Sequence, residues 1–201
     1  MSRPVNEIDS VFESTNILRN LTIENIEKND IFSFDEVTNK DYRTNVLERL
    51  FNIKKERIKI IDKIIESGGI LTGSKVLSKT YLYGKKVLER SSKYSDWDFL
   101  VTEKMAYKIS SEIDFKEKGD KLSIRVIDDM YESGEQYIDL ILVKSLPNHY
   151  KVGKFLYTDP ISILYNKIEM VKSNNISYSY KSDKNADDMK SFLWKFNYLL
   201  E

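Results

Sequence analysis

Residues 94–101 read YSDWDFLV, in which two acids one residue apart lead directly into an apolar run. The run is rich in aromatic and branched residues and is typical of a buried strand. Since alternate side chains of a strand share a face, Asp96 and Asp98 point the same way. Like charges at such a distance repel each other, and a buried unpaired carboxylate is costly. The stretch therefore predicts a sheet that gathers acids and a cation that compensates them.

A third acid interrupts the apolar stretch QYIDLILV at 136–143. We place this acid at Asp139 because apolar residues surround it; Asp128 and Asp129, which end the preceding predicted strand, are the alternative. Carboxylates gathered on a sheet are tolerated when a divalent cation supplies the opposite charge, and Mg²⁺ prefers such oxygen ligands. The ordinary alternative is a strand edge with solvated acids, because a two-acid motif is short.

The segments around the acids predict a mixture of helices and strands. From Tyr42 to Glu66 apolar residues recur at three-, four- and seven-residue spacings, which predicts a helix that Gly68 and Gly69 end. We predict strands at 70–74, 97–101 and 136–143, a hairpin turning at Gly119 and Asp120, and helices at 103–113, from Pro160 and at 186–200. Trp194 in the last helix is expected to pack. The predicted class is α/β (α+β): a small mixed sheet carrying three acids, flanked by helices, with helical segments at both ends.

The length and composition narrow the class of protein. The 201 residues suit one domain, with an N-terminal extension at 1–42, a core at 43–145 and a C-terminal helical part of the same domain at 146–201. The 32 basic residues balance 32 acidic ones, so no global field favours nucleic acid or anionic lipid. The absence of cysteine excludes disulfides and thiolate zinc sites. Without an apolar signal segment or a membrane span, we expect a cytoplasmic protein with no membrane partner.

The motifs follow a recognisable order. GGILTGS at 68–74 precedes SDWDFLV at 95–101 and YIDLILV at 137–143. In the first motif Gly73 and Ser74 follow a strand, where backbone N–H groups and a hydroxyl suit a phosphate. The order resembles the DNA polymerase beta-like nucleotidyltransferase superfamily, in its minimal bacterial or phage form: a strand ending in Gly-Ser or Gly-Gly, an acid-x-acid strand, and a later strand with a third acid. The resemblance covers 68–143 and implies that 43–145 is a nucleotidyltransferase core.

The resemblance implies an enzyme that moves a nucleoside monophosphate from a triphosphate to an acceptor hydroxyl or phosphate and releases pyrophosphate. The triphosphate would be ATP, and two Mg²⁺ ions would be required. Asp96 and Asp98 would bind both metals, while Asp139 would complete the site and help deprotonate the acceptor. Gly73 and Ser74 would hold the phosphates.

Basic residues outside the motifs are further candidates for phosphate contacts. Arg90, Lys85 and Lys86 precede the acid strand, and Lys167 lies where related enzymes often place a lysine near the triphosphate. The plain alternative for each is a solvated surface cation. The 21 residues between the Gly-Ser turn and the first acid exceed the spacing of compact family members, so that segment is an insertion or longer helix of unknown role.

The sequence is compatible with several classes of acceptor. Lysines crowd 54–60, 85–86 and 181–195, which favours a phosphate-bearing acceptor such as RNA or tRNA. Protein and small-molecule hydroxyls stay open as acceptors. A rival function is an inactive superfamily member that serves as a binding module, such as an antitoxin or complex subunit. A metal-independent nucleic-acid-binding domain is a second rival, which the zero net charge weakens.

Overall fold

The computed structural model describes residues 13–19, 21, 32–34, 51–89, 95–127, 135–172 and 179–196. Within these ranges the chain forms six helices and ten strands in two sheets, which confirms the predicted mixed class. The helices are α1 (13–19), α2 (Phe51–Glu66), α3 (Ser74–Leu77), α4 (Glu103–Ser110), α5 (Pro160–Lys172) and α6 (Ser179–Phe196). In the part of the chain that is described, none of them is long and apolar enough to cross a membrane.

The strands are β1 (Phe32–Phe34), β2 (Ile70–Thr72), β3 (Thr80–Leu82), β4 (Lys85–Lys86), β5 (Trp97–Val101), β6 (Lys116–Lys118), β7 (Lys121–Ile127), β8 (Glu135–Leu142), β9 (His149–Val152) and β10 (Phe155–Thr158). The chain divides into two compact units. The first comprises Met1–Phe34, Leu77–Glu89 and Pro160–Glu201, and the second comprises Asp35–Val76 and Arg90–Asp159.

The second unit is built on a seven-stranded sheet in the order β6-β7-β8-β5-β2-β10-β9. The pairs β5–β8 and β2–β10 are parallel, and the other pairs are antiparallel. The predicted hairpin is present, with Gly119 at φ +66° between β6 and β7. The sheet is larger than predicted because β9 and β10 add a second hairpin, which turns at Gly153 with φ +58°. The acid strand β5 therefore lies in the middle of the sheet.

One face of this sheet is the core of the second unit. Phe99, Ile138 and Leu140 are completely buried there, because they project from the same face of the paired strands β5 and β8. Helix α2 lies against β7, and helix α4 lies against β8. The Trp97 ring stacks near the Phe99 and Phe155 rings, with centroid separations of 6.4 and 6.1 Å. Since Trp97 and Phe99 alternate with the acids, the opposite face of β5 carries the carboxylates.

The first unit pairs α5 with α6 and contains the three-stranded sheet β1-β3-β4. Helix α6 begins at Ser179, seven residues before the predicted start at 186. Its buried residues include Met189, Phe192 and Phe196, with the expected helical spacing. The expectation that Trp194 packs is wrong, since it is 80% exposed. At about 100° per residue, position 194 lies some 200° around the helix from 192, which places it on the outer face.

Candidate active site on the acid-bearing strands

The register of four adjacent strands places polar residues in one row across the sheet. Asp98 of β5 lies opposite Thr72 of β2 on one side and opposite Asp139 of β8 on the other. Asp139 in turn lies opposite Ser123 of β7. Residues directly opposite each other in a sheet project from the same face and lie within side-chain reach. The register therefore brings together two acids that are 41 residues apart in sequence.

Asp139 is held in place by two neighbours on β7. Its side chain is 2% exposed. Its Oδ1 accepts a hydrogen bond of 2.5 Å from the Ser123 hydroxyl, and its Oδ2 forms an ion pair with the Lys121 ammonium. Burying a carboxylate without such partners would be costly. The chain thus supplies the compensation for the Asp139 charge from its own residues.

Lys121 is electrostatically linked to all three predicted acids. Burial alone would lower the pKa of Lys121, but the hydrogen bond and charge of Asp139, with the charges of Asp98 and Asp96, outweigh burial and raise that pKa. These carboxylates therefore stabilise the protonated, positively charged form of Lys121. The positive charge that the chain itself provides beside these acids is the Lys121 ammonium, which is paired with Asp139.

The first acid is fastened to the neighbouring strand. Asp96 precedes β5, and its Oδ1 accepts a hydrogen bond of 2.9 Å from the Tyr137 backbone N–H of β8. One residue earlier, the Gln136 side-chain amide donates to the Ser95 carbonyl at 2.9 Å. Two contacts with successive residues of β8 thus fix the entry to β5. Asp96 is thereby held beside β8, where its charge acts on Lys121.

Gly73 brings the turn after β2 against the acid strand. Its φ of +74° lies in the left-handed region, which favours glycine. A Cβ added to Gly73 would lie 2.9 Å from Asp98 Oδ2, closer than real Cβ atoms approach. Ser74 follows as the first residue of α3. The predicted Gly-Ser turn and the predicted acid strand therefore meet at Asp98.

Gly73→Ala is expected to destabilise the protein by roughly 1–3 kcal/mol, since the left-handed conformation costs about 1–2 kcal/mol and moving the Asp98 carboxylate, the end of a side chain, adds at most about 1 kcal/mol. Gly119→Ala is the matched control, because Gly119 has φ +66° but a Cβ added there would have no atom within 4 Å. Gly119→Ala should lower the free energy of unfolding only by the cost of the left-handed conformation, about 1–2 kcal/mol. Urea unfolding of both variants measures the difference. Equal losses would show that the close approach to Asp98 costs nothing.

The donor atoms decide whether a metal ion fits these residues. Among the residues that the structure describes, no group of three or more His, Asp or Glu side chains is arranged to hold an ion. Asp139 is engaged with Lys121 and Ser123. Mg²⁺, however, is commonly bound by one or two carboxylates together with phosphate oxygens and water. The two carboxylates of Asp96 and Asp98 are of the ligand type that such a site uses.

Lys167, a predicted phosphate contact, lies in the first unit. Its ammonium forms an ion pair of 2.8 Å with Asp188 and donates to Asn185 Oδ1 at 3.0 Å. The side chains of Lys167 and Asp188 are 10% and 4% exposed. Lys167 is therefore a buried link between α5 and α6, not a solvated surface cation. The helix predicted at 186–200 would place Asp188 in its first turn, whereas the helix begins at Ser179 and Asp188 lies within it.

Lys167→Met is expected to destabilise the protein by about 3 kcal/mol, because it leaves the buried Asp188 carboxylate without its ion-pair partner. Lys172→Met on the same helix is the control. Lys172 forms an exposed pair of 3.6 Å with Glu169, and such pairs are worth about 0.5 kcal/mol or less. Thermal unfolding should separate the two variants clearly. Similar small losses would mean that the Lys167 pair contributes nothing to α5–α6 packing.

The other predicted basic residues are distributed as follows. Lys85 and Lys86 form β4 in the first unit, where the Lys195 ammonium donates to the Lys86 carbonyl at 3.0 Å and pairs with Glu89 at 2.7 Å. Two of the three lysine-rich stretches therefore meet in that unit. Three further predictions, on Arg90, Asp128 and Asp129, lie outside the described residues.

Comparisons with known proteins find one distant structural likeness. No family model matches the chain, and no curated protein matches it. Among solved structures, the chain is similar to JHP933 from Helicobacter pylori, with 17% sequence identity, 65% of this chain covered and a TM-score of 0.38. The matched part spans 60% of that protein's length. At this level the likeness assigns neither a family nor an activity.

Proposed function

We propose that the protein is a Mg²⁺-dependent nucleotidyltransferase that transfers a nucleoside monophosphate from a triphosphate, ATP in the first instance, to an acceptor and releases pyrophosphate. The observation that supports this most is the register that sets Asp98 beside Asp139 on one face of the sheet. The charge of Asp96 acts on Lys121, the partner of Asp139, and the Gly73 turn lies close to the Asp98 carboxylate. Carboxylates that lie close together repel each other and lower the stability of the fold, and such clusters are characteristic of functional sites.

Each residue has a role that its position supports. Asp96 and Asp98 would hold the metal ion, which stabilises charge on the transferred phosphoryl group and on the leaving pyrophosphate. Gly73 and Ser74, next to Asp98, would bind the triphosphate through backbone N–H groups and the hydroxyl. Asp139, fixed by Ser123, would complete the negative charge of the site. Catalysis of this kind rests on positioning and charge neutralisation.

A transfer assay tests the proposal. The purified protein is incubated with Mg²⁺ and each of four triphosphates labelled at the α-phosphate, together with a tRNA pool, a protein mixture or small polyols. Label that moves to one acceptor class, with pyrophosphate released and with no transfer in EDTA, would support the enzyme. If no acceptor is labelled with any triphosphate, the alternative of an inactive binding module takes its place.

RNA is the acceptor class that the charged residues favour. The pairing of β6 with β7 puts Lys118 and Arg125 on the same face as the acids, and both are exposed. The Lys118 ammonium lies 3.7 Å from the centroid of the Tyr137 ring, on that face. We call Lys118 and Arg125 the basic strip. It lies beside the proposed catalytic carboxylates, where the phosphates of an incoming nucleic acid would be neutralised.

Binding of a tRNA pool is expected to weaken steeply with salt, with a slope of about −0.7 to −0.9 for each phosphate neutralised. Replacing both residues of the basic strip by alanine should make that slope shallower by roughly two contacts, that is by about 1.4–1.8. The control is Lys108→Ala, on the exposed side of α4, which should leave the slope unchanged. Fluorescence anisotropy across a salt series of roughly 50 to 200 mM measures the salt dependence of tRNA binding for each variant. Salt-insensitive or absent binding would favour a protein or small-molecule acceptor instead.

A further inference from the structure

The proposed metal site already contains a positive charge that belongs to the chain. Asp98 and Asp139 share one face of the sheet, the Lys121 ammonium is paired with Asp139, and the charge of Asp96 also acts on Lys121. Three negative charges and one positive charge leave two net negative charges. A single divalent cation balances that number before a triphosphate, which adds negative charges of its own, is bound.

The position of Lys121 is set by the sheet and not by a flexible loop. It is the first residue of β7, opposite Ile141 of β8, and the ladder between these strands continues for seven residue pairs. Its side chain is 22% exposed and its ammonium contacts Asp139 Oδ2. The remaining oxygen, Oδ1, accepts the hydrogen bond from Ser123. Both oxygens of the third acid are therefore engaged by residues of the same strand.

This arrangement deepens the proposed function and rests on it. We propose that Lys121 takes the place of the second metal ion, so that the protein binds one divalent cation, through Asp96 and Asp98, rather than two. A second ion at Asp139 would have to displace the lysine from a buried ion pair. If the ammonium stayed, that ion would be repelled by it at short range. Lys121 is thus a positioning residue that fixes Asp139 and sets the number of metal ions.

The number of bound ions tests this directly. Mn²⁺ is titrated into the full chain saturated with a non-hydrolysable ATP analogue, and free Mn²⁺ is counted by its paramagnetic resonance signal against a protein-free blank. The wild type and Lys121→Arg, which keeps the charge, should bind one Mn²⁺ per chain. Lys121→Met should bind two, because Asp139 then becomes available to an ion. Lys118→Met, which removes another ammonium from the same face, should stay at one.

A wild-type count of two would overturn the inference, and so would a folded Lys121→Met that still binds one. If Lys121→Met does not fold, the double variant Lys121→Met/Asp139→Asn removes the whole buried pair. The inference then requires one ion in both the wild type and the double variant. It is overturned by two ions in the wild type. Failure of the proposed function looks different, since a wild type that binds neither nucleotide nor Mn²⁺ would remove both proposals together.

Discussion

Asp98→Asn is expected to lower the rate of nucleotide transfer by roughly 10³-fold, which corresponds to about 4 kcal/mol of transition-state stabilisation. Asp98 lies at the centre of the proposed site, opposite Asp139 and in contact range of the Gly73 turn. The asparagine keeps the shape of the side chain but removes the charge that would hold the metal ion. Initial rates with labelled triphosphate measure the loss.

The fold of this variant should be retained. Removing this negative charge relieves repulsion with the other acids and weakens the attraction to Lys121, so the thermal midpoint without Mg²⁺ should change little. Asp114→Asn is the matched control, since Asp114 is 81% exposed and pairs with an exposed lysine. It makes the same chemical change away from the sheet face and should leave the rate within about twofold. Wild-type turnover in Asp98→Asn would end the proposed mechanism.

Asp139→Asn is expected to be as damaging as Asp98→Asn, although the reason is different. The asparagine no longer holds the Lys121 ammonium by charge, while Asp98 and Asp96 still attract it. We expect the ammonium to move toward those two carboxylates and to compete there with the metal ion. The rate should fall by roughly 10²–10³-fold, a loss of about 3–4 kcal/mol.

The double variant Lys121→Met/Asp139→Asn separates this explanation from simple loss of an acid. If the released ammonium is the cause, the double variant should be more active than Asp139→Asn alone, a coupling that a double-mutant cycle measures. Asp128→Asn and Asp129→Asn should have mild effects. Wild-type activity in Asp139→Asn, with a large loss in either of the other two, would place the third acid on the preceding strand.

Local patterns predict most of the elements of the second unit. Strands β2, β5 and β8 follow from short apolar runs bounded by polar or glycine residues, and the β6–β7 hairpin follows from the turn at Gly119. The hairpin β9–β10 was missed. Its strands are four residues each, and β10 is placed by parallel pairing with β2, far away in sequence. Pairing over such a distance leaves no signal in a local window.

In the candidate site, too, local sequence patterns predict single residues but not the contacts that strand pairing creates. Asp96, Asp98 and Asp139 stand out in the sequence because apolar residues flank them. Lys121 and Ser123 were missed, since their role depends on the register between β7 and β8. A signal was available in KLSIRVI at 121–127, where polar and apolar residues alternate and predict one polar face. That alternation does not state which acid the polar face would meet.

Calorimetric titration with a non-hydrolysable ATP analogue tests metal-dependent nucleotide binding by the sheet acids. The wild type should bind the analogue in the presence of Mg²⁺, and binding should be lost in EDTA and in Asp98→Asn, whereas Asp114→Asn should bind as the wild type does. Binding with equal affinity in Mg²⁺ and in EDTA, or no binding by the folded wild type under either condition, would contradict the account.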